Sequence, residues 1–327
     1  MTLYPLTFHP LFKTRPWGGR MIESLYGKPL PPDARIGESW EISDRPDDES
    51  IVANGPLAGT SLRQLMEQHG DAILGGARAA AGSRFPLLCK ILDARDRLSL
   101  QVHPPGHRAP ELGGEPKTEM WYIADAAPGA ELFAGLRPGV TRPVFEAKIA
   151  SGEVADCFHR IPVTRGDTMF LPSGRVHAIG AGLVIFEIQQ NSDTTYRVFD
   201  WNRPGLDGKP RELHVPQSLA SIDFADVEPA LARPAVVEDG NTMARESIVR
   251  HGLFNADIWH ARAESSRKLD EHQLRVAAVV TGKARASGGG VALEMTAGLF
   301  CLIPAATTDA TLTLDAGTTV LLIEAGR

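Results

Sequence analysis

The stretch Gly166-Asp167-Thr168-Met169-Phe170-Leu171-Pro172-Ser173-Gly174-Arg175-Val176-His177 constrains the fold more than any other part of the 327-residue chain. It fits the pattern G-x5-P-x-G-x2-H. Gly166-Asp167 reads as a tight turn, Thr168 to Leu171 as a short strand with alternating faces, and Pro172-Ser173-Gly174 as a second turn that sets His177 at the head of the next strand. A histidine held at a strand end behind a Pro/Gly turn points into the mouth of a small β-barrel, where such folds keep ligands and metals.

A metal needs several ligands, and two other short runs supply candidates. In Gln101-Val102-His103-Pro104 the first and third residues are two apart on a strand and share a face. Lys117 and Glu119 share a face in the same way, and Glu119 heads an apolar strand, where a carboxylate is costly unless it meets a cation. Two neutral imidazoles, a carboxylate and an amide oxygen suit zinc (Zn2+), and manganese, iron and cobalt (Mn2+, Fe2+, Co2+) accept the same donors. Beyond His177, the polar run Gln189 to Trp201 ends a strand, and Arg197 there is flanked by Val198, Phe199 and Trp201. A guanidinium at the edge of a packed surface can hold an oxyanion or sugar hydroxyls.

The rest of the chain fits a mainly β protein. Residues 1 to about 56, rich in Pro and Gly, read as irregular structure with short strands, with Trp17 and Trp40 as core anchors. Ser61 to Gly70 has helical spacing, a Ser/Thr cap and a closing Gly. Strand-like runs cover 85–94, 98–103, 119–123, 131–136, 157–161 and 182–190, and a helical insert begins at Pro143 with Val144, Phe145, Lys148 and Ile149 on one packed face. His69 reads as a surface residue and His159 as a structural one. Another helix starts near Pro216. Residues 226–242, with repeated Pro and acidic groups, read as a connector. Beyond them Gly298-Leu299-Phe300-Cys301-Leu302-Ile303-Pro304 repeats the G-x5-P half of the motif, with Ala306 and Asp309 where Gly and His would stand. The expected architecture is two jelly-roll-type β-barrels with a small helical insertion. A catalytic domain of residues 1–225 has helical segments at 60–80 and 143–160, and a second, degenerate β domain of residues 243–327 has lost its metal ligand.

A formal net charge of −6 argues against nucleic acid or an anionic membrane as partner and leaves a small molecule. Cys89, Cys157 and Cys301 are few, odd in number and far apart, as in a reducing cytoplasm. The N-terminal residues lack the basic and apolar regions of a signal peptide, and no apolar run reaches transmembrane length. A cytoplasmic location is therefore expected.

The Gly166 to His177 stretch resembles the second conserved motif of the cupin superfamily, with Ala181 where that pattern often carries Asn. Together with Pro16-Trp17-Gly18-Gly19, Gly37-Glu38-Ser39-Trp40-Glu41, Gln101-Val102-His103-Pro104, Lys117-Thr118-Glu119-Met120-Trp121-Tyr122 and Gln190 to Arg197, it is similar to the type I phosphomannose isomerases in their short bacterial form. The resemblance implies one zinc on Gln101, His103, Glu119 and His177, and site residues Lys117, Asp193 and Arg197. Trp17, Glu41 and Lys90 are candidate substrate contacts. Longer relatives carry His-Lys-Pro-Glu where this chain has Pro116-Lys117-Thr118-Glu119, so a role for the neighbouring histidine does not carry over.

The reaction so implied is the interconversion of mannose 6-phosphate and fructose 6-phosphate through a cis-enediol, with a Lewis-acid metal, Arg197 at the enediolate, and Lys117 or Asp193 as base. A cupin oxygenase would have no task for the lysine or the Asp/Arg pair. A non-catalytic sugar-phosphate-binding cupin is the other alternative, and turnover separates it from the isomerase.

Overall fold

A computed structural model describes residues 2–326. The chain is mainly β, in four large antiparallel sheets. The first half holds a six-stranded sheet in the order Leu11–Gly19, Ile36–Ile42, Leu87–Ala94, Leu183–Gln190, Glu119–Ala126, Thr168–Leu171. Its companion is a five-stranded sheet in the order Tyr196–Phe199, Leu100–Val102, His177–Ile179, Glu131–Leu136, Phe158–Pro162. The second half has a six-stranded sheet (Ala235–Asp239, Met243–Arg250, Phe254–Ala261, Thr319–Ala325, Arg275–Thr281, Phe300–Ile303) and a four-stranded one (Ser265–Lys268, Thr311–Leu314, Lys283–Gly288, Val291–Thr296).

The central strands of the first six-stranded sheet are buried on both faces, and period-two alternation sorts their side chains. Along Leu183–Gln190, Val184, Phe186 and Ile188 join a core shared with the second half, while Leu183 and Ile185 belong to a core inside the first. Leu87–Ala94 and Glu119–Ala126 divide in the same way, with Leu87, Cys89, Ile91, Met120, Tyr122 and Ala124 on the shared side. The two six-stranded sheets thus pack back to back. The Phe186 and Phe300 rings stack between them at 5.3 Å. Helix Leu62–Leu74 and the N-terminal residues Leu3, Tyr4 and Leu6 seal the same core.

Several details differ from the sequence reading. Residues 11–42 contribute two full strands, because Gly18 lets the backbone approach Gly37, where an added Cβ would lie 2.4 Å from the Gly37 nitrogen. The first helix opens on a Ser61/Gln64 capping box and runs past Gly70 to close at Gly75, whose φ of 57° is left-handed, with a kink at His69. On helix Arg142–Ser151 Phe145 is buried, but Val144 is exposed and Lys148 faces Glu153 and Asp156. The helix closes at Gly152, a 3-10 turn follows at Val154–Cys157, and Phe158 already lies in a strand. Within 226–242, Ala235–Asp239 pairs with Met243–Arg250.

The repeat is visible in the ladders. Leu171 pairs with Glu119 in the first half, and Ile303, which holds the same place in the second Gly-x5-Pro run, pairs with Arg275. The counterpart of the Glu119 carboxylate is therefore a buried guanidinium, bonded to Glu324 at 3.0 Å.

Phe186→Ala should lower stability by about 3–5 kcal/mol, since it leaves a cavity between two sheets that cannot close. Val236→Ala on the exposed edge should change it by about 0.5 kcal/mol or less. Denaturant unfolding measures both, and equal effects would refute the back-to-back core.

Candidate active site

The inward face of the six-stranded sheet lines a cavity of about 520 Å³. Its floor is a row of alternating charges, one strand after another. Arg15 Nε donates to Glu38 Oε1 at 2.6 Å, and Lys90 Nζ lies 3.6 Å from Glu38 Oε2 and 3.2 Å from Glu187 Oε1. Lys117 Nζ then meets Glu119 Oε2 at 2.8 Å. Trp40 Nε1 donates to Glu38 and Trp121 Nε1 to Glu187. Burial alone would raise the Glu38 carboxyl, but Lys90, Arg15 and the Trp40 hydrogen bond pull it down to about 2. Glu187 goes the other way, raised by burial and by the neighbouring Glu119.

Of the three substrate contacts expected from sequence, Trp17 and Lys90 line this cavity. Glu41 does not. Alternation in Ile36–Ile42 puts Glu38 and Trp40 toward the cavity and Ser39 and Glu41 behind the sheet, where Glu41 takes Lys28 at 2.8 Å and the Ser39 hydroxyl at 2.5 Å. Glu38 holds the place assigned to Glu41.

Where the two sheets come together, Gln101, His103, Glu119 and His177 converge. His103 Nε2 is 3.6 Å from Glu119 Oε2, His177 Nε2 is 3.4 Å from Glu119 Oε1, and Gln101 Nε2 is 3.3 Å from His177 Nε2. Among the described residues, His103, Glu119 and His177 form the group able to hold a metal ion, with ligand atoms within 4.8 Å of one another. The second contacts fix the donor set. His103 Nδ1 donates to the Thr194 carbonyl at 2.8 Å and His177 Nδ1 to the Arg175 carbonyl at 2.9 Å, which leaves both Nε2 lone pairs facing Glu119. Burial, reinforced by Lys117, lowers His103 to about 3, and burial also lowers His177, so both imidazoles are neutral. Burial would raise Glu119, yet the Lys117 ammonium holds it well below the carboxylate range. Neither Glu119 oxygen accepts a hydrogen bond, despite the Lys117 ion pair. A half-turn of the Gln101 amide turns its oxygen to the same point. These residues fit a divalent ion.

At the mouth stand Asp193, Thr195, Arg197 and the hairpin carrying Gly205, Leu206, Asp207 and Arg211. Arg197 is anchored by the segment after that hairpin. Its Nη1 donates to the Glu212 carbonyl at 2.7 Å, its backbone N–H donates to His214 Nδ1 at 3.2 Å, and its carbonyl accepts from the His214 N–H at 2.8 Å. Burial, then Arg211, lowers the Arg197 guanidinium. Lys117, Asp193 and Arg197 therefore face one cavity with Gln101, and His103, Glu119 and His177 lie beside it.

A family model described as phosphomannose isomerase type I, catalytic domain, matches residues 6–125. The mannose-6-phosphate isomerase ManA of Bacillus subtilis is 36% identical over 310 residues, covering 93% of this chain and 94% of that protein. The chain belongs to the type I phosphomannose isomerase family. A crystal structure of the mannose 6-phosphate isomerase from Bacillus subtilis superimposes with a TM-score of 0.88 at 31% identity, over 98% of this chain and 99% of that one. A mannose 6-phosphate isomerase solved with zinc and yttrium bound shares the fold at 18% identity, with a TM-score of 0.73 over 99% of this chain and 100% of that one.

Sequence reasoning passed over Glu187, Glu38, Arg15, Arg211 and His214. Glu187 alone carries a local signal, a single carboxylate inside the apolar run Leu183 to Ile188.

Because the Glu38 carboxyl falls from 4.5 to about 2 on folding, its stabilising contribution is complete above the unfolded value and is lost as pH drops from about 4.5 to about 2. Wild type should be more stable than Glu38→Gln at pH 6, and the gap should close toward pH 2.5. Urea unfolding across that range measures it, and a gap independent of pH would contradict the floor's charge pairing.

Proposed function

We propose that this chain interconverts mannose 6-phosphate and fructose 6-phosphate, moving a proton between C1 and C2 through a cis-enediol. The observation that carries the reading is a metal-ready Gln/His/Glu/His set, with Gln101 on the cavity wall, next to Lys117, Asp193 and Arg197 on that same cavity in a member of this family.

Gln101, His103, Glu119 and His177 would hold one divalent ion, zinc by the match of two imidazoles, a carboxylate and an amide oxygen to its preferences and by the zinc bound to the relative described above. When bound, it supplies Lewis acidity toward the sugar oxygens. The chain's own groups do the rest. Arg197, held by Glu212 and His214, offers N–H donors to the negative charge that develops on the enediol oxygens. Lys117, beside Glu119 and opening on the cavity, is the base assigned here. Asp193 is the second reading, favoured by its carboxylate lying on the same cavity wall and making no ion pair among the described residues. Trp17, Trp121 and Leu98 give that wall an apolar lining that limits water.

The catalytic unit in this reading is residues 1–225. The strand at Ala235–Asp239 shortens the proposed connector to 226–234, and the following β unit binds no ion because Arg275 stands where Glu119 stands in the first.

Purified protein should carry about one divalent ion per chain, and a chelator should abolish turnover while far-ultraviolet circular dichroism keeps its β signal. His177→Ala should lose the ion and His69→Ala should keep it; full activity of metal-free protein, or a second ion in metal titration, would overturn the assignment.

Substrate turned over in deuterated water should take up solvent label without oxygen consumption. Arg197→Ala should keep its metal and lose about 10²-fold or more in kcat. Lys117→Met should lose about 10²–10⁴-fold. Near-normal turnover of Lys117→Met together with inactive Asp193→Asn would move the base to Asp193. Binding of mannose 6-phosphate with no fructose 6-phosphate formed would replace the isomerase by a sugar-phosphate-binding protein.

A further inference from the structure

We propose that Arg211 and Arg15 form the subsite for the substrate's phosphate, gripping it at the cavity mouth from the edges of the two facing sheets. The proposal rests on the isomerase reading above and adds the residues that select a phosphorylated sugar.

The deep cations of the cavity are already engaged. Lys117 is paired with Glu119 at 2.8 Å, and Lys90 lies between Glu38 and Glu187 at 3.6 and 3.2 Å. The mouth is different. Arg203 and Arg211 both bond to Asp200, the latter through Nε to Oδ2 and Nη2 to Oδ1, each at 2.6 Å. Arg197 makes no carboxylate ion pair and stands close enough to Arg211 and Arg203 for both to lower its guanidinium. Two of the three guanidiniums thus share one buried carboxylate, and the third, Arg197, has none. Like charges held on one wall repel, and an anion arriving between them removes that repulsion. Asp207 and Asp193 are the other carboxylates at this mouth, and neither makes an ion pair among the described residues.

Geometry singles out Arg211 and Arg15 among these groups. Asp200 fixes the plane of Arg211 by a two-point bond and leaves its Nη1 edge without a partner among the described residues. Arg211 closes the hairpin formed by the Pro204–Pro210 bridge and the Gly205 N–H to Lys209 carbonyl bond of 2.7 Å, so it is carried on an ordered turn at the rim. On the other sheet edge Glu38 holds Arg15 by Nε at 2.6 Å, and Arg15 Nη2 is likewise without a partner. Both arginines line the cavity and are partly exposed. Fixed planar forks with a free edge match the oxygens of a phosphate dianion. The phosphate lies at the sugar's C6 end, remote from the reacting C1 and C2, and the arginines lie at the rim, away from the buried Glu119 cluster.

Steady-state kinetics on the metal-loaded full chain tests this. Inorganic phosphate should inhibit wild type competitively against mannose 6-phosphate. Arg15→Gln and Arg211→Gln should each raise KM about 10- to 100-fold, with kcat falling far less, and should weaken phosphate inhibition in proportion. Arg211→Lys, which keeps the charge but not the fork, should fall between. Non-competitive phosphate, or folded variants with wild-type KM, would overturn the subsite while leaving the isomerase intact. A wild type that forms no fructose 6-phosphate would instead sink the isomerase reading. If Arg211→Gln fails to fold because Asp200 loses a partner, Arg15→Gln and the wild-type competition still decide.

Discussion

A carboxylate with no exposed surface, Glu119, sits at the head of a strand whose next four residues are buried, and the site is built to meet its charge. An isolated buried carboxylate would cost several kcal/mol and take up a proton. Here Lys117 from just before the same strand, His103 from just past a second and His177 from the head of a third surround it, and each of the latter two is turned toward it by a backbone carbonyl behind it. Those carbonyls belong to Thr194 and Arg175, so the loops that carry Asp193 and the Pro/Gly turn are tied to the orientation of two imidazoles. The charge row along the floor extends the same logic across the sheet. Every carboxylate in it has a cation beside it.

The two halves show what happens when that single group changes. They share a strand order in their six-stranded sheets and a Gly-x5-Pro turn leading into the last strand. With Arg275 in the equivalent place, the second half solves its burial problem by an internal ion pair with Glu324 and fills its interior with Trp259, Met295 and aliphatic side chains. One half keeps a polar hollow and the other a packed core.

Much of this was legible in the sequence, for a physical reason. Residues two apart on a strand must share a face, so Gln101 with His103 and Lys117 with Glu119 were readable as pairs, and the Pro/Gly turn placed His177 at a strand head, where it is found. Glu41 failed because a run of seven buried residues gives no sign of which face is the inner one. The strands in residues 11–42 were hidden by their glycines, which serve close backbone approach and not irregularity. Val144 was misassigned because one helical face of a short insert has only Phe145 to bury. Arg15, Arg211 and His214 come to the site through long-range packing, and local pattern holds no trace of that.

The N-terminal segment is joined to the far end of the chain. Leu6 exchanges two backbone hydrogen bonds of 2.8 Å with Leu302, the Thr7 hydroxyl donates to the Phe300 carbonyl, and Arg78 N–H reaches the Gly326 carbonyl. The Leu6–Leu302 contact spans 296 positions, and closures of such long loops come late and slowly. On the ribosome, residues 3–8 must wait for the strand at Phe300–Ile303 before these partners exist. The sheet that lines the cavity shares its outer core with those strands, so the nascent chain carries an uncovered apolar face until they are made, and the second half acts as the cover that completes it.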